Sequence, residues 1–78
     1  MDNNRIEALA DYAHTAWSGW IHYMFAKCQQ QSDGTLVIPA WAVERWSRQA
    51  GTSYEALPDE EKESDREEAR TMLNRLSP

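Results

Sequence analysis

Apolar residues at Ile6, Leu9, Ala10, Ala13, Trp17, Trp20, Ile21, Met24, Phe25 and Cys28 recur at intervals of three, four and one, the spacing of a long amphipathic helix. The pattern predicts a helix over about residues 4–29, about 39 Å long at 1.5 Å rise per residue. Gly19 sits in its middle at a cost of about 1 kcal/mol relative to alanine, which implies the close approach of another element or a bend. "QQQSDGT" (29–35) reads as a polar turn with the reversal at Asp33-Gly34. "TLVI" (35–38) is too short to be more than an extended connector. Pro39 then opens a second helix at its first position, and that helix, over residues 40–50, presents Val43, Trp46 and Ala50 on one side and stops at Gly51. "TSYEALP" (52–58) is a loop or a single turn, and a third helix starts near Pro58 or Asp59, its first turns crowded with acid where the macrodipole favours it.

The third helix is where the pattern becomes irregular. Wound at about 100° per residue, Ala69, Met72, Leu73 and Leu76 form one apolar stripe. Continued towards the N-terminus, the stripe meets Lys62, Asp65 and Arg66, while Glu60, Glu63, Ser64, Glu67, Thr71 and Asn74 fall on the far side. Two readings are open. The three charges lie beyond the edge of the core, exposed and weakly paired at about 0 to 1 kcal/mol each, or the helix stays packed there and they need partners from protein or ligand. On the second reading Asp65 pairs with Arg66 or with a group near His14 and Trp17, beside a cleft. The fold expected is all-α: a single compact domain over residues 1–78, of about three helices with a long N-terminal one. Its expected core is Trp17, Trp20, Ile21, Met24, Val43, Leu57, Met72 and Leu73.

Composition narrows the function classes. Seventy-eight residues bury only roughly 60 to 65% of the surface of the unfolded chain, so an enzyme with a deep pocket is not expected. Four tryptophans supply the large buried area a small core needs. A net charge of −5 argues against nucleic acid as a partner, since such binding runs on clustered Lys and Arg. The acid is concentrated, however: residues 55–68 hold eight carboxylates against Lys62 and Arg66, leaving the rest of the chain able to hold an anion locally. The single cysteine, Cys28, excludes an internal disulfide and fits a reducing compartment, where it is expected as a mostly buried thiol. No apolar run reaches signal-peptide or membrane-span length, so a cytoplasmic, membrane-free chain is expected. His14 and His22 differ by about 80° around the first helix, and with one cysteine they make no metal set. No nucleophile triad, phosphate-cradling glycine loop or spaced carboxylate pair is visible, and no cofactor is expected.

Trp41 and Trp46 are five apart and cannot share a face of the second helix, so one packs inward and the other is displayed or lines a cleft. An aromatic plane beside Arg45, Arg48 or Arg66 is the equipment for stacking a flat heterocycle while holding its anionic groups.

"AHTAW" (13–17), followed by "YEALPDEEKESDREEA" (54–69), resembles the ryanodine-receptor (RyR) repeat domain. In that family a His-x-x-Trp pair on the first helix precedes a segment of the form Tyr-x-x-Leu-Pro-x-x-x-Lys-x-x-Asp-Arg that leads into the last helix. Here the matching positions are His14 and Trp17, then Tyr54, Leu57, Pro58, Lys62, Asp65 and Arg66. With "DGTLVIPAWAVERW" before the last segment, most of the chain also looks like a family of short phage-encoded relatives. The receptor repeats carry a Gly-Trp-x-Tyr-Gly element between the two motifs, whereas Gly19-Trp20 here runs on into "IHY". The resemblance implies a small non-catalytic binding module for a nucleotide-derived molecule, since family members bind adenine nucleotides and bacterial relatives occur in defence-associated proteins. A free-standing viral copy would sequester a host immune signal. On that model Trp17 or Trp46 stacks the base, Arg66, Lys62 and Arg45 meet phosphate, Asp65 orients Arg66 or accepts from the base edge, and His14 and Tyr54 complete the set. The alternative is a protein–protein interaction module, or a self-associating one, with no small-molecule ligand.

Overall fold

The computed structural model describes residues 2–76. Three helices carry it, α1 (Asp2–Lys27), α2 (Ala40–Ala50) and α3 (Asp59–Leu76), and α1 is the long N-terminal helix that the apolar spacing predicts. The fold is all-α. Between α1 and α2 lies one correction to the sequence reading: the "TLVI" segment is not merely a connector. Its Leu36–Val37 strand (β2) pairs antiparallel with Gln29–Gln30 (β1), in the register Gln29 to Val37 and Gln30 to Leu36. The reversal falls where the polar turn predicts it. Gly34 has φ +90, a conformation that favours glycine, and its N–H donates to the Gln31 carbonyl at 3.1 Å. Asp33 Oδ1 accepts from the Thr35 N–H and hydroxyl at 3.0 and 2.7 Å, and the Thr35 N–H bond, ahead of the hydroxyl, holds the Asp33 carboxyl below its usual range.

The helix ends have local causes. Pro39, with φ −66 and ψ 153, is the extended residue that caps α2 rather than its first helical residue, and its carbonyl accepts from Ala42 and Val43 at 3.0 and 3.1 Å. Gly51 ends the helix without a left-handed turn (φ −88). A Cβ there would stand 3.3 Å from the Ser47 carbonyl oxygen, so close approach is what favours glycine. Thr52 completes the stop, its hydroxyl donating to the Arg48 carbonyl at 2.6 Å. Pro58 plays the role of Pro39 for α3, accepting from Glu61 and Lys62 at 3.0 Å each. Gly19 is different: a Cβ there would meet nothing within 4 Å, so of the two expectations for it, a close approach or a bend, the close approach is not made.

The chain divides into two compact units, Met1–Gly19 with Pro58–Pro78, and Trp20–Leu57. In the first unit the buried residue is Tyr12, 6% exposed. Its hydroxyl donates to the Glu68 carbonyl oxygen at 3.1 Å and to the Glu68 carboxylate, and thereby ties α1 to α3. The Arg75 guanidinium lies 5.8 Å over the Tyr12 ring and donates to Asp11 at 2.5 Å. Ala8, Leu9 and Ala16 are half-buried on the same side of α1. This inner face is rotated by about one residue, about 100°, from the stripe read through Ala13 and Trp17. Trp17, expected in the core, is accordingly 60% exposed; Leu73 is 65% exposed and Met72 is exposed as well. Large apolar groups are fewer on the true inner face, which is why the apolar count pointed to the wrong azimuth.

In the second unit Ala42 is fully buried, and Trp46 and Gln49 beside it on α2 are half-buried. Ile21, Met24 and Cys28 form the half-buried line of α1 here, at the spacing of i, i+3 and i+7. Leu57 is half-buried, whereas Trp20 and Val43, also expected in the core, are exposed. Cys28 is a free thiol, half-buried rather than mostly buried. No helix of the described residues is long and apolar enough to cross a membrane.

Candidate functional site: an aromatic and arginine groove on α2

Trp41, Arg45 and Arg48 recur at i, i+4 and i+7 along α2, so they share one flank of the helix. Ala42, Trp46 and Gln49 turn inward, and that packing obliges the flank beside them to face water. With Glu44 these three side chains line an open groove with a cavity volume of about 350 Å³. The Trp41 indole is 46% exposed, and the guanidinium of Arg45 stands 5.8 Å from its ring centroid, within the range of a cation–π contact.

The Trp41 ring is anchored from behind. It meets Trp46 edge-on, with centroids 6.2 Å apart and planes at 67°. Trp46 in turn meets Trp20 at 5.1 Å and 71°, and Tyr23 at 6.3 Å and 55°. Trp20 and Tyr23 are 5.6 Å apart. Each such edge or tilted pair adds about 0.5 to 1.5 kcal/mol beyond buried area, and the chain of four rings fixes the plane that Trp41 offers. Lys27 closes the far end, its Nζ 5.5 Å from the Tyr23 centroid. Spacing excludes Trp41 and Trp46 from one face, yet their rings touch, because two indoles reach around the helix.

Chemically the groove offers a planar π surface, two guanidiniums within one turn and one carboxylate. Guanidinium forks bind phosphate or carboxylate in two-pronged fashion, and the Glu44 carboxylate accepts from an amino or imino N–H. Nothing in the groove resembles a nucleophile with its base.

The residues picked out from sequence are distributed over both units. Arg45 and Trp46 are on α2, with Arg45 in the groove and Trp46 behind it. Tyr54 begins the 3₁₀ turn Tyr54–Ala56 and is exposed. In the other unit His14 is exposed, its Nε2 3.5 Å from the Ser18 hydroxyl oxygen one turn on, and Trp17 is exposed on the same helix. Lys62 and Arg66 are half-buried, but Asp65, expected to face inward, is exposed. Arg66 donates to Asp59 at 3.2 Å and to Glu63 at 3.3 Å. Arg70 donates to Glu63 at 2.8 Å and to Glu67 at 2.5 Å. The Glu63 carboxyl is held below the usual range by Arg70 first and Arg66 second, and Arg70 is raised by the same pairing. Glu63, assigned by azimuth to the water side, is thus the hub of a charge network along α3.

Trp41, Glu44 and Arg48 line the groove without belonging to the sequence-based ligand set, although Trp41 and Arg48 stood out as an aromatic and a cation near one another. The i, i+4, i+7 repeat was the readable signal. Among the described residues no group of three or more His, Cys, Asp or Glu could hold a metal ion. No protein-family model matches the chain, and no curated protein or solved structure matches it.

Proposed function

We propose that the chain is a non-catalytic binding module for a nucleotide-derived small molecule, taken up at the α2 groove. The observation that carries this reading is the Arg45 guanidinium set over the exposed Trp41 indole, with Arg48 and Glu44 completing the lining. The base stacks on Trp41, its anionic groups meet Arg45 and Arg48, and Glu44 accepts from the exocyclic or ring N–H at the base edge. The RyR-like motif supports the same ligand class. A module of this kind, in the cytoplasm and in the host cytoplasm if phage-encoded, acts by holding its ligand and so withdrawing an immune signal.

Thermal-shift titration against adenine nucleotides, cyclic dinucleotides and ADP-ribose derivatives tests the reading. A ligand at 100 times its dissociation constant adds about 2.7 kcal/mol, a shift on the order of 10 °C for a domain of this size. Arg45→Ala should abolish the shift while leaving the unliganded melting temperature close to that of the parent, whereas Trp41→Ala should abolish it and also lower the unliganded stability by about 0.5 to 1.5 kcal/mol, the worth of the lost ring pair with Trp46. Loss on Arg66→Ala, with the fold retained, assigns the RyR-like residues to the ligand; retention leaves the α2 groove as the whole site. No shift with any of these compounds overturns the reading in favour of the interaction module without a small-molecule ligand.

A further inference from the structure

We infer that the α2 groove selects guanine over adenine and that Glu44 makes the choice, an inference that rests on the nucleotide-binding reading of the same groove and names its base. The first observation is the stock of donors and acceptors in the lining. Trp41, Glu44, Arg45 and Arg48 line the groove, so their side chains bring no amide and no hydroxyl. The indole and guanidinium N–H groups only donate, and the ionised carboxylate only accepts. The second observation is placement. At about 100° per residue, Glu44 stands about 60° to one side of Trp41 and Arg45 about 40° to the other. A ring stacked on the indole therefore has an acceptor along one border and a donor fork along another. The third is availability: among the described residues the exposed Glu44 carboxylate makes no hydrogen bond and no ion pair, so both of its oxygens can be given to a ligand.

Guanine has the matching edges. Its N1–H and 2-amino group are adjacent donors, and the two oxygens of one carboxylate accept from both. On the opposite edge O6 and N7 are adjacent acceptors, the pair that an arginine fork meets with two bonds, so either guanidinium, turned from phosphate to base, favours the same choice. Adenine fails on both edges. Its N1 is an acceptor whose lone pair would face a carboxylate oxygen, and beside N7 it presents an amino donor to a guanidinium that can only donate. Cytosine likewise sets the acceptor N3 beside its amino group, and uracil offers one N–H flanked by two carbonyls. Each of these bases leaves a charged oxygen against a lone pair, the kind of unpaired contact on which discrimination rests.

Isothermal titration calorimetry at constant salt with GDP, IDP and ADP tests the inference. GDP should bind about tenfold or more tightly than ADP, the scale of one lost two-pronged base contact. IDP, which keeps N1–H and lacks the 2-amino group, should fall between them. Glu44→Gln puts one acceptor beside one donor where the carboxylate stood, and that pair suits the adenine edge, so the variant should bind ADP at least as tightly as GDP. The ratio is the readout, because removing a negative charge near the phosphate strengthens all three alike. Far-UV circular dichroism of the variant should match the parent, since the Glu44 side chain is exposed. A parent protein that binds ADP as tightly as GDP overturns the inference and leaves the nucleotide-binding reading standing. A GDP preference that Glu44→Gln leaves intact does the same. Binding of none of the three also overturns the inference, and the thermal-shift panel then decides separately whether the groove takes any nucleotide at all.

Discussion

Tyr12 shows how much one side chain can hold in a small unit. It is buried under the Arg75 guanidinium and donates to Glu68 on the opposite helix. Tyr12→Phe keeps the ring and removes the donor, and the exposed Glu68 can turn to water. The expected loss is about 1 kcal/mol, the net worth of a typical hydrogen bond, read from the urea midpoint at constant slope. Tyr12→Ala also removes the packed ring and should cost about 3 kcal/mol or more. Gly19 gives the opposite sign: with nothing within 4 Å of its missing Cβ, Gly19→Ala should stabilise α1 by about 1 kcal/mol. A lower melting temperature for that variant would mean that the glycine serves a bend. Arg66 illustrates why azimuth alone is a poor guide to charges. Its ion-pair partners Asp59 and Glu63 reach water, so Arg66→Ala should leave the melting temperature nearly unchanged rather than strand a buried carboxylate.

At the scale of elements, α3 supplies a pH dependence with a definite sign. Arg70 and Arg66 depress the folded-state pKa of Glu63 below its unfolded value. Its stabilisation is therefore fully present above the ordinary carboxylate range and is lost as pH falls through the lower, folded value. Helicity followed by circular dichroism should decline on acidification through and below that range, and Glu63→Gln should flatten this part of the titration. Because the pairs are exposed, the effect should be small and weaker in added salt. The elements themselves were largely legible in the sequence, and for identifiable reasons. Pro39, Gly51 and Pro58 punctuate the chain, Asp33-Gly34 marks the reversal, and apolar spacing separates helix from turn. What was not legible was which side of each helix faces in. In α1 the large apolar groups Trp17 and Ile6 are exposed, while the inner face is built from Ala8, Leu9, Ala16 and a tyrosine whose hydroxyl finds a partner. Counting hydrophobic volume misplaces such a face, because a polar tip that is hydrogen-bonded packs as well as a hydrocarbon. The β1–β2 pair went unread because two residues per strand leave no alternation to detect. Of the site, Arg45 and an exposed aromatic were foreseeable, but the choice of Trp41 over Trp46 depends on the inward turn of Ala42, a small residue with no signature of its own.

For the whole molecule the decisive quantity is the amount of apolar surface left in water. Tyr12 and Ala42 are the buried hydrophobic residues among those described, although hydrophobic residues make up 41% of the sequence. Self-association, the alternative to a small-molecule ligand, would make unfolding concentration-dependent, since dissociation accompanies unfolding. For a dimer, a hundredfold rise in protein concentration adds about 2.7 kcal/mol per dimer. With an unfolding entropy near 2.1 cal/mol/K per residue, that is a rise on the order of 8 °C in melting temperature. On that alternative the rise appears without any nucleotide, whereas on the nucleotide-binding reading the melting temperature responds to ligand and not to protein concentration. Differential scanning calorimetry across that concentration range separates the two. A melting temperature independent of concentration in the parent protein would mean that the exposed aromatic and aliphatic groups are tolerated in water by a monomer, and that a second copy plays no part in its stability.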